Sequence, residues 1–259
     1  MRRPIPGIQL YTLRDHTKTA EDFDTTLGRL AALGVKDVQL SAVGPIDAAV
    51  QRKIMDKYEI RPCVTHRPFD RIRDDLPALI EEHRILGCDA LGLGSLPPDR
   101  RQPEQTTREA IRALQAAADR LVPHGMTFHY HNHDFEFAPI PGSDCSILDL
   151  MLQETDPASF CFIPDLAWAH YAGMEPTSFL RKLRGRVKVV HFKDYVPGPD
   201  GKAQLVSLGQ GVVDLKACYD VCRELEIPYV MYEQDNNWTN GDPFVATEES
   251  WRFLQELHG

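Results

Sequence analysis

Short apolar runs along this chain alternate with longer stretches in which apolar residues recur every three to four positions. The short runs predict strands at Gly7–Tyr11, Asp37–Leu40, Arg61–Thr65, Ala90–Leu93, Met126–His131, Phe160–Ile163, Val187–Phe192 and Tyr229–Glu233. The longer stretches predict amphipathic helices at Glu21–Leu33, Ile46–Tyr58, Asp74–Leu86, Gln105–Leu121, Ile147–Leu152, Pro176–Leu183, Asp214–Leu225 and Pro243–Leu257. Several helix-to-strand joints carry a stop signal. Leu33-Gly34-Val35, Leu86-Gly87-Cys88 and His124-Gly125-Met126 put glycine where a helix ends left-handed. Glu226-Ile227-Pro228 ends another helix with proline.

Strands that alternate with helices read as parallel βαβ units, because parallel strands need a crossover. Eight such units predict an α/β fold, a (β/α)₈ TIM barrel, as one domain over residues 1–259. The length of 259 residues suits one barrel of about 250, although it would also accommodate two smaller domains. An open doubly wound sheet is the main rival. Such a sheet would carry a glycine-rich phosphate loop after its first strand, whereas this chain continues Thr12-Leu13-Arg14-Asp15.

Charge narrows the function. The formal net charge is −9, and no Lys/Arg run supplies the basic face of a nucleic-acid binder. Arg100-Arg101 and Arg184-Gly185-Arg186 read as solvated loop charge. The basic start Met1-Arg2-Arg3-Pro4 lacks the apolar stretch of a signal peptide, and no run approaches the roughly 20 apolar residues of a membrane span. Cys63, Cys88, Cys145, Cys161, Cys218 and Cys222 are scattered, mostly within apolar patterns. That predicts buried reduced thiols in a cytoplasmic protein rather than disulfides or a zinc site.

Active residues of a barrel sit where its strands end, and the later strands end in metal-ligand types. Strand five runs into His129-Tyr130-His131-Asn132-His133-Asp134. Alternation puts His129, His131 and His133 on one face. One such histidine would read as a hydrogen-bonded core residue; three point to a metal or catalytic role. Strand six ends Phe162-Ile163-Pro164-Asp165, where Asp165 is either a functional carboxylate or the cap of the next helix. Strand seven ends His191-Phe192-Lys193-Asp194, with His191 and Lys193 on one face. Burial of a lysine requires a partner, so Lys193 should meet a carboxylate or an anionic substrate. Strand eight delivers Glu233. Four successive strands thus bring imidazole or carboxylate to one rim, a donor set that suits one Mn²⁺, Zn²⁺, Fe²⁺ or Co²⁺ better than Ca²⁺ or Mg²⁺.

At these residues the chain resembles the sugar phosphate isomerase/epimerase family, the xylose isomerase-like TIM barrels. The resemblance runs from Gly7-Ile8-Gln9-Leu10-Tyr11-Thr12-Leu13-Arg14 through Tyr130–Phe137, then Asp165 with Trp168 and Ala172-Gly173. It continues through His191-Phe192-Lys193-Asp194 and Leu208–Asp214 to Glu233. It implies a metal held by one residue from each of strands five to eight, which gives Asp165, His191 and Glu233 here. The family's strand-five glutamate is absent. Histidine stands in its place, with His131 preferred as ligand, His133 next and His129 last.

The resemblance implies Mn²⁺ or Zn²⁺ foremost, with Co²⁺, Fe²⁺ and Mg²⁺ as further candidates. It implies a small sugar substrate and a pairing of two barrels as a homodimer. The expected reaction is proton abstraction beside a sugar carbonyl. Glu233 or His133 would move the proton and Lys193 would place positive charge near the oxyanion. Because only one of two opposed glutamates remains, elimination from a keto-sugar or keto-inositol is the alternative. A three-zinc DNA-repair endonuclease and a non-catalytic sugar binder on the same barrel are further rivals. Gln9, His66, Trp168 and His129 are expected at the substrate. Tyr11, Arg14, Gln39, Trp238 and Glu136 are further rim candidates.

Overall fold

The computed structural model describes residues 3–259. The strands run β1 (Ile5–Gln9), β2 (Asp37–Leu40), β3 (Arg61–His66), β4 (Ala90–Leu93), β5 (Thr127–His131), β6 (Phe160–Ile163) and β7 (Val189–Phe192). A hairpin of β8 (Asp194–Pro197) and β9 (Ala203–Val206) follows, then β10 (Tyr229–Tyr232). Eight of them form one parallel sheet in the order β6-β5-β4-β3-β2-β1-β10-β7. Its two ends meet through isolated bridges: Phe162 N–H donates to Arg186 O at 2.8 Å and His191 N–H to Pro164 O at 2.9 Å. The expected TIM barrel is therefore present, with β6 and β7 joined more sparsely than the other neighbours.

Helices α1 (Ala20–Ala32), α2 (Ala48–Tyr58), α3 (Phe69–Asp74), α4 (Leu76–Leu86), α5 (Glu104–Leu121), α6 (Ile147–Glu154), α7 (Leu166–Tyr171), α8 (Pro176–Lys182), α9 (Leu215–Glu224) and α10 (Pro243–His258) fill the crossovers. Sequence-encoded caps start several of them. Thr19 and Asp22 bond reciprocally at α1, and Ser146 and Asp149 do so at α6. Gly87 ends α4 at φ 69°, as its position after the apolar run predicted. No helix among the described residues is long and apolar enough to cross a membrane. All six cysteines are free; Cys145 and Cys161 are half-buried and the other four buried.

Strand alternation divides the core. Ile8, Val38, Phe128, Val190 and Val230 face the helices, within two large apolar clusters. The opposite face fills the barrel lumen. Cys63, Val64, Ala90, Ile163, Val189 and Met231 make a small apolar floor there. Met231 fits because β1 offers Gly7: a Cβ at that position would lie 2.6 Å from the Met231 sulfur and 2.4 Å from Asp37 O. Burying each such aliphatic side chain contributes roughly 1.5–3 kcal/mol. The floor therefore stabilises the barrel whatever occupies the layer above it. Ile163, Val189 and Met231 each precede a polar residue by two positions, so Asp165, His191 and Glu233 continue into the same lumen one layer higher.

One expectation shifts. The first strand ends at Gln9 rather than Tyr11, because Gln9 Oε1 accepts from Tyr11 N–H at 3.2 Å and the chain turns into a 3₁₀ segment over Leu10–His16. The segment after β7, to which the sequence pattern assigned no element, forms a hairpin. It is clamped by the buried Asp194 carboxylate, whose Oδ1 accepts from Tyr195 and Val213 N–H and whose Oδ2 accepts from Gly209 and Gly211 N–H. Gly211 lies against that carboxylate; a Cβ there would sit 2.2 Å from Asp194 Oδ1.

Candidate functional site

Four side chains converge where strands end. His131 is the last residue of β5, Asp165 caps α7 just beyond β6, His191 lies in β7 and Glu233 directly follows β10. All four are buried. One ligand-type atom of each lies within 4.8 Å of those of the others, so this buried cluster could hold a metal ion. His131 Nε2 is 3.5 Å from Asp165 Oδ2 and 3.8 Å from Glu233 Oε2, and His191 Nδ1 is 2.9 Å from Glu233 Oε2.

Three of the four are half committed and half free. His131 Nδ1 is 2.9 Å from Gly94 O, and His191 Nε2 is 2.8 Å from Gln39 Oε1. Asp165 Oδ1 accepts from Trp168 N–H at 2.9 Å, and Asn132 Oδ1 accepts from Asp165 N–H at 3.0 Å. The sequence left cap and functional carboxylate as alternatives for Asp165. The structure shows the cap on one oxygen and leaves the other facing the cluster.

The remaining atoms, His131 Nε2, Asp165 Oδ2, His191 Nδ1 and Glu233 Oε2, are buried without a hydrogen-bond partner. The short His191–Glu233 contact is misaligned for a hydrogen bond. An unsatisfied buried polar atom costs about 1–3 kcal/mol, so four in one place call for a common partner. Two imidazoles and two carboxylates are a donor set that a divalent cation of the Zn²⁺ or Mn²⁺ kind accepts.

Lys193 sets the electrostatics. Its buried ammonium lies 3.1 Å from both Asp165 Oδ2 and Glu233 Oε2, and 2.8 Å from Asp235 Oδ2. Burial alone would raise the Asp165 carboxyl; Lys193 and His131 overcome it and hold Asp165 at about 2. Glu233 is likewise pulled well below the usual carboxylate range, against burial, by Lys193 and His191. Burial opposes charge on Lys193, but Asp165, Asp235 and Glu233 raise it well above its ordinary value. Both cluster carboxylates are therefore anionic at neutral pH. Asp235 is pushed up by burial and by Glu233 despite its bond to Lys193.

The cluster opens on a cavity of about 320 Å³ lined by Tyr11, Ser41, His66, Gly94, Ser95, His131, His133, Lys193, Glu233 and Asp235. Of the residues expected at the substrate, His66 lines it. Its neighbour Gly94 leaves it room, since a Cβ there would fall 2.9 Å from His66 Nδ1. Trp168 stands behind the wall, tilted against the His133 ring at 6.1 Å, with Lys193 Nζ 5.3 Å from its centroid. Gln9 is buried beside the first turn and does not line the cavity. His129 also stays outside. It sits a layer below His131, bonded to Thr127 Oγ1 at 2.8 Å, because the strand's pleat carries only its last inward position to the rim. Burial, with Lys188, holds the His129 ring at about 3. Burial, then His131 and Lys193, put His133 at about 3 as well, so it is neutral.

Ser41, Ser95 and Asp235 were not singled out from the sequence. Asp235 follows Glu233 by two positions, and that spacing is the one signal that points to it. Arg14 donates to the Tyr11 and Asp235 carbonyls rather than to a carboxylate. Glu136 accepts from Tyr130 Oη at 2.5 Å and from His133 N–H at 2.8 Å, so it braces the turn that carries His133. A larger cavity, about 640 Å³, opens at the other end of the barrel. Its lining cations Arg52, Arg61, Arg84 and Lys188 are paired with Asp56, Asp37, Glu81 and Asp89, and the ligand cluster lies at the opposite rim.

Known proteins agree with this architecture. The chain matches the xylose isomerase-like TIM barrel family model over residues 27–257. Among solved structures it is similar to a sugar phosphate isomerase/epimerase from Parabacteroides distasonis ATCC 8503, at 20% identity and TM-score 0.83, covering 100% of this chain and 96% of that one. It is also similar to a probable 3-DHS dehydratase from Bacillus anthracis, at 10% identity and TM-score 0.73, covering 98% and 99%. A xylose isomerase-like TIM barrel protein from Mycobacterium smegmatis in complex with magnesium aligns at 13% identity and TM-score 0.75, covering 99% and 98%. No curated protein matches the sequence significantly. With eight parallel strands, flanking helices and a family match across most of its length, this chain belongs to the xylose isomerase-like TIM barrels.

Proposed function

We propose that this protein is a divalent-metal-dependent isomerase or epimerase acting on a keto-sugar or sugar derivative by proton abstraction beside a carbonyl. The observation that carries the reading is a set of four buried ligand atoms beside a polar cavity, none of them in a hydrogen bond and the two carboxylate oxygens facing only the Lys193 ammonium. His131, Asp165, His191 and Glu233 would hold one cation, Mn²⁺ or Zn²⁺ foremost. When bound, that ion supplies Lewis acidity to polarise a carbonyl oxygen and offset its developing charge.

The chain's own residues do the rest. Glu233 belongs to the cluster and also lines the cavity, so its carboxylate can reach a substrate C–H; we assign it the proton transfer. Lys193 keeps Asp165 and Glu233 ionised and adds positive charge at the oxyanion side. His133, neutral and at the cavity wall, is available to exchange a proton with a substrate hydroxyl. His66, Ser41 and Ser95 offer hydrogen bonds to further hydroxyls, and Trp168 backs the wall.

Elimination is the second reading. It is favoured by the absence, among the cavity-lining residues, of a carboxylate from β5 opposite Glu233; His131 and His133 stand there instead. In a one-sided reaction the proton that Glu233 takes from carbon would pass to a departing β-hydroxyl, which leaves as water. Metal analysis of the purified protein, then a panel of keto-sugars in deuterated water, tests the proposal. Solvent deuterium should enter a carbon-bound position at constant mass formula; loss of water would select the elimination. Glu233→Gln should abolish turnover with an unchanged melting temperature, and full activity in that variant would refute its role.

A further inference from the structure

Gln39 lies in β2, fully buried, and joins two histidines from opposite parts of the barrel. Its Oε1 is 2.8 Å from His191 Nε2, and its Nε2 is 2.8 Å from His66 Nε2. A carboxamide has one end that only accepts and one that only donates. The two contacts are therefore not independent. With Oε1 toward His191, that ring must carry its proton on Nε2, which leaves the Nδ1 lone pair facing the cluster. With the amide N–H₂ toward His66, that ring must accept at Nε2, so its own proton sits on Nδ1. His66 Nδ1 lies beside Ser41 Oγ at 3.4 Å and next to Gly94, at the cavity wall.

The reversed arrangement would turn Gln39 over, put a proton on His191 Nδ1 and remove it from His66 Nδ1. That proton would need Glu233 Oε2, 2.9 Å away, as its acceptor. The contact has no hydrogen-bond alignment, and neither atom has a hydrogen-bond partner. The observed arrangement avoids a misdirected N–H inside the cluster.

We infer that Gln39 is a positioning residue that fixes both tautomers at once, keeping His191 Nδ1 open to a cation and making His66 a hydrogen-bond donor to the oxygen of a bound ligand. Its role in cation binding rests on the metal-centre reading above; the tautomer assignment does not. A side chain that orients a metal-binding histidine changes metal affinity about 10- to 100-fold when lost. Gly94 O performs the equivalent service for His131 from the backbone, where no substitution reaches it.

The test uses the metal-free full chain with ¹⁵N-labelled histidine, plus competition for Zn²⁺ against a chromophoric chelator. In the wild type, His191 should carry its proton on Nε2 and His66 on Nδ1. Gln39→Met keeps the length but neither hydrogen bond; it should mix both tautomers and weaken Zn²⁺ binding about 10- to 100-fold. Gln39→Glu keeps an acceptor for His191 and loses the donor for His66. It should therefore hold His191 on Nε2, move the His66 proton to Nε2, and bind Zn²⁺ at least as tightly as Gln39→Met. A wild type with His191 protonated on Nδ1, or a Gln39→Met variant with both tautomers unchanged, overturns the inference. A wild type that binds no Zn²⁺ yet shows the expected tautomers would instead sink the metal-centre reading and leave this one standing.

Discussion

Removing Lys193 should reverse how the stability of the metal-free protein responds to acid. In the wild type, its ammonium faces Asp165, Glu233 and Asp235. Asp165 is held at about 2, below its ordinary 3.8. A carboxyl lowered on folding contributes stability that is complete above 3.8 and lost as pH falls toward 2. For this one group the contribution is about 2 kcal/mol. Lys193→Met takes away the cation and leaves burial, which raises carboxyl pKa values. The variant then holds two buried carboxylates and a partly exposed third with no lysine among them. Breaking a buried ion pair from one side costs about 3–5 kcal/mol. At roughly 2–4 °C per kcal/mol for a chain of this size, the melting temperature at pH 7 should drop by about 10 °C.

The sign of the acid response also changes. Groups whose folded pKa lies above the unfolded value contribute stability below that value and lose it as pH rises. The deficit of Lys193→Met should therefore be largest at pH 7–8 and shrink toward pH 4.5. Added Zn²⁺ or Mn²⁺ should recover part of it at pH 7, because a divalent ion offsets two of the three charges. Urea unfolding of both proteins between pH 4.5 and 8, with chelator and with metal, reads all of this. Equal stability at pH 7 with parallel pH profiles would show that Lys193 does not carry the charge balance described.

Two further perturbations probe the scaffold. Gly92→Ala should destabilise the fold by about 1–3 kcal/mol, since its Cβ would fall 2.5 Å from the backbone oxygen of Thr65. Gly94→Ala meets only the His66 ring, so it should weaken ligand binding with a melting temperature near that of the wild type; the two are compared by thermal unfolding and ligand titration. Asp194→Asn leaves one carboxamide oxygen for backbone N–H groups that now share two carboxylate oxygens. It should cost about 1–3 kcal/mol and speed amide hydrogen exchange at Gly209, Gly211 and Val213.

Much of this was legible in the chain because parallel barrels obey a simple directional rule. Strands Asp37–Leu40, Ala90–Leu93 and Phe160–Ile163 occur with the bounds their apolar runs predicted. That Asp165, His191 and Glu233 share a rim with the strand-five histidines followed from reading which residue ends each strand; the preference for His131 among those histidines came with the family resemblance. Short elements were less legible. Helices α3 and α7 span six residues each, too few for a helical period to stand out. The helix predicted over Asp74–Leu86 is α4, and the unpredicted α3 precedes it across Asp75. The β8–β9 hairpin turns at Gly198–Gly201, whose Pro-Gly-Pro-Asp-Gly setting reads as loop until its flanks are seen to pair. The burial of His129 and the work of Gln39 had no local signature. Both depend on layers of side chains stacked across the lumen, and the partners of Gln39 lie 27 and 152 residues away.

The divided carboxylate of Asp165 ties two scales of the molecule together. One oxygen begins α7 and the other looks into the lumen, so the orientation of that helix and the aim of the free oxygen cannot change separately. Drift in the packing of Leu166–Tyr171 against the barrel wall would rotate a ligand atom, even where no mutated side chain comes near the cavity. Surface evolution along this helix is therefore constrained by chemistry performed at its first residue, and remote substitutions there are a natural route for tuning the centre without touching it.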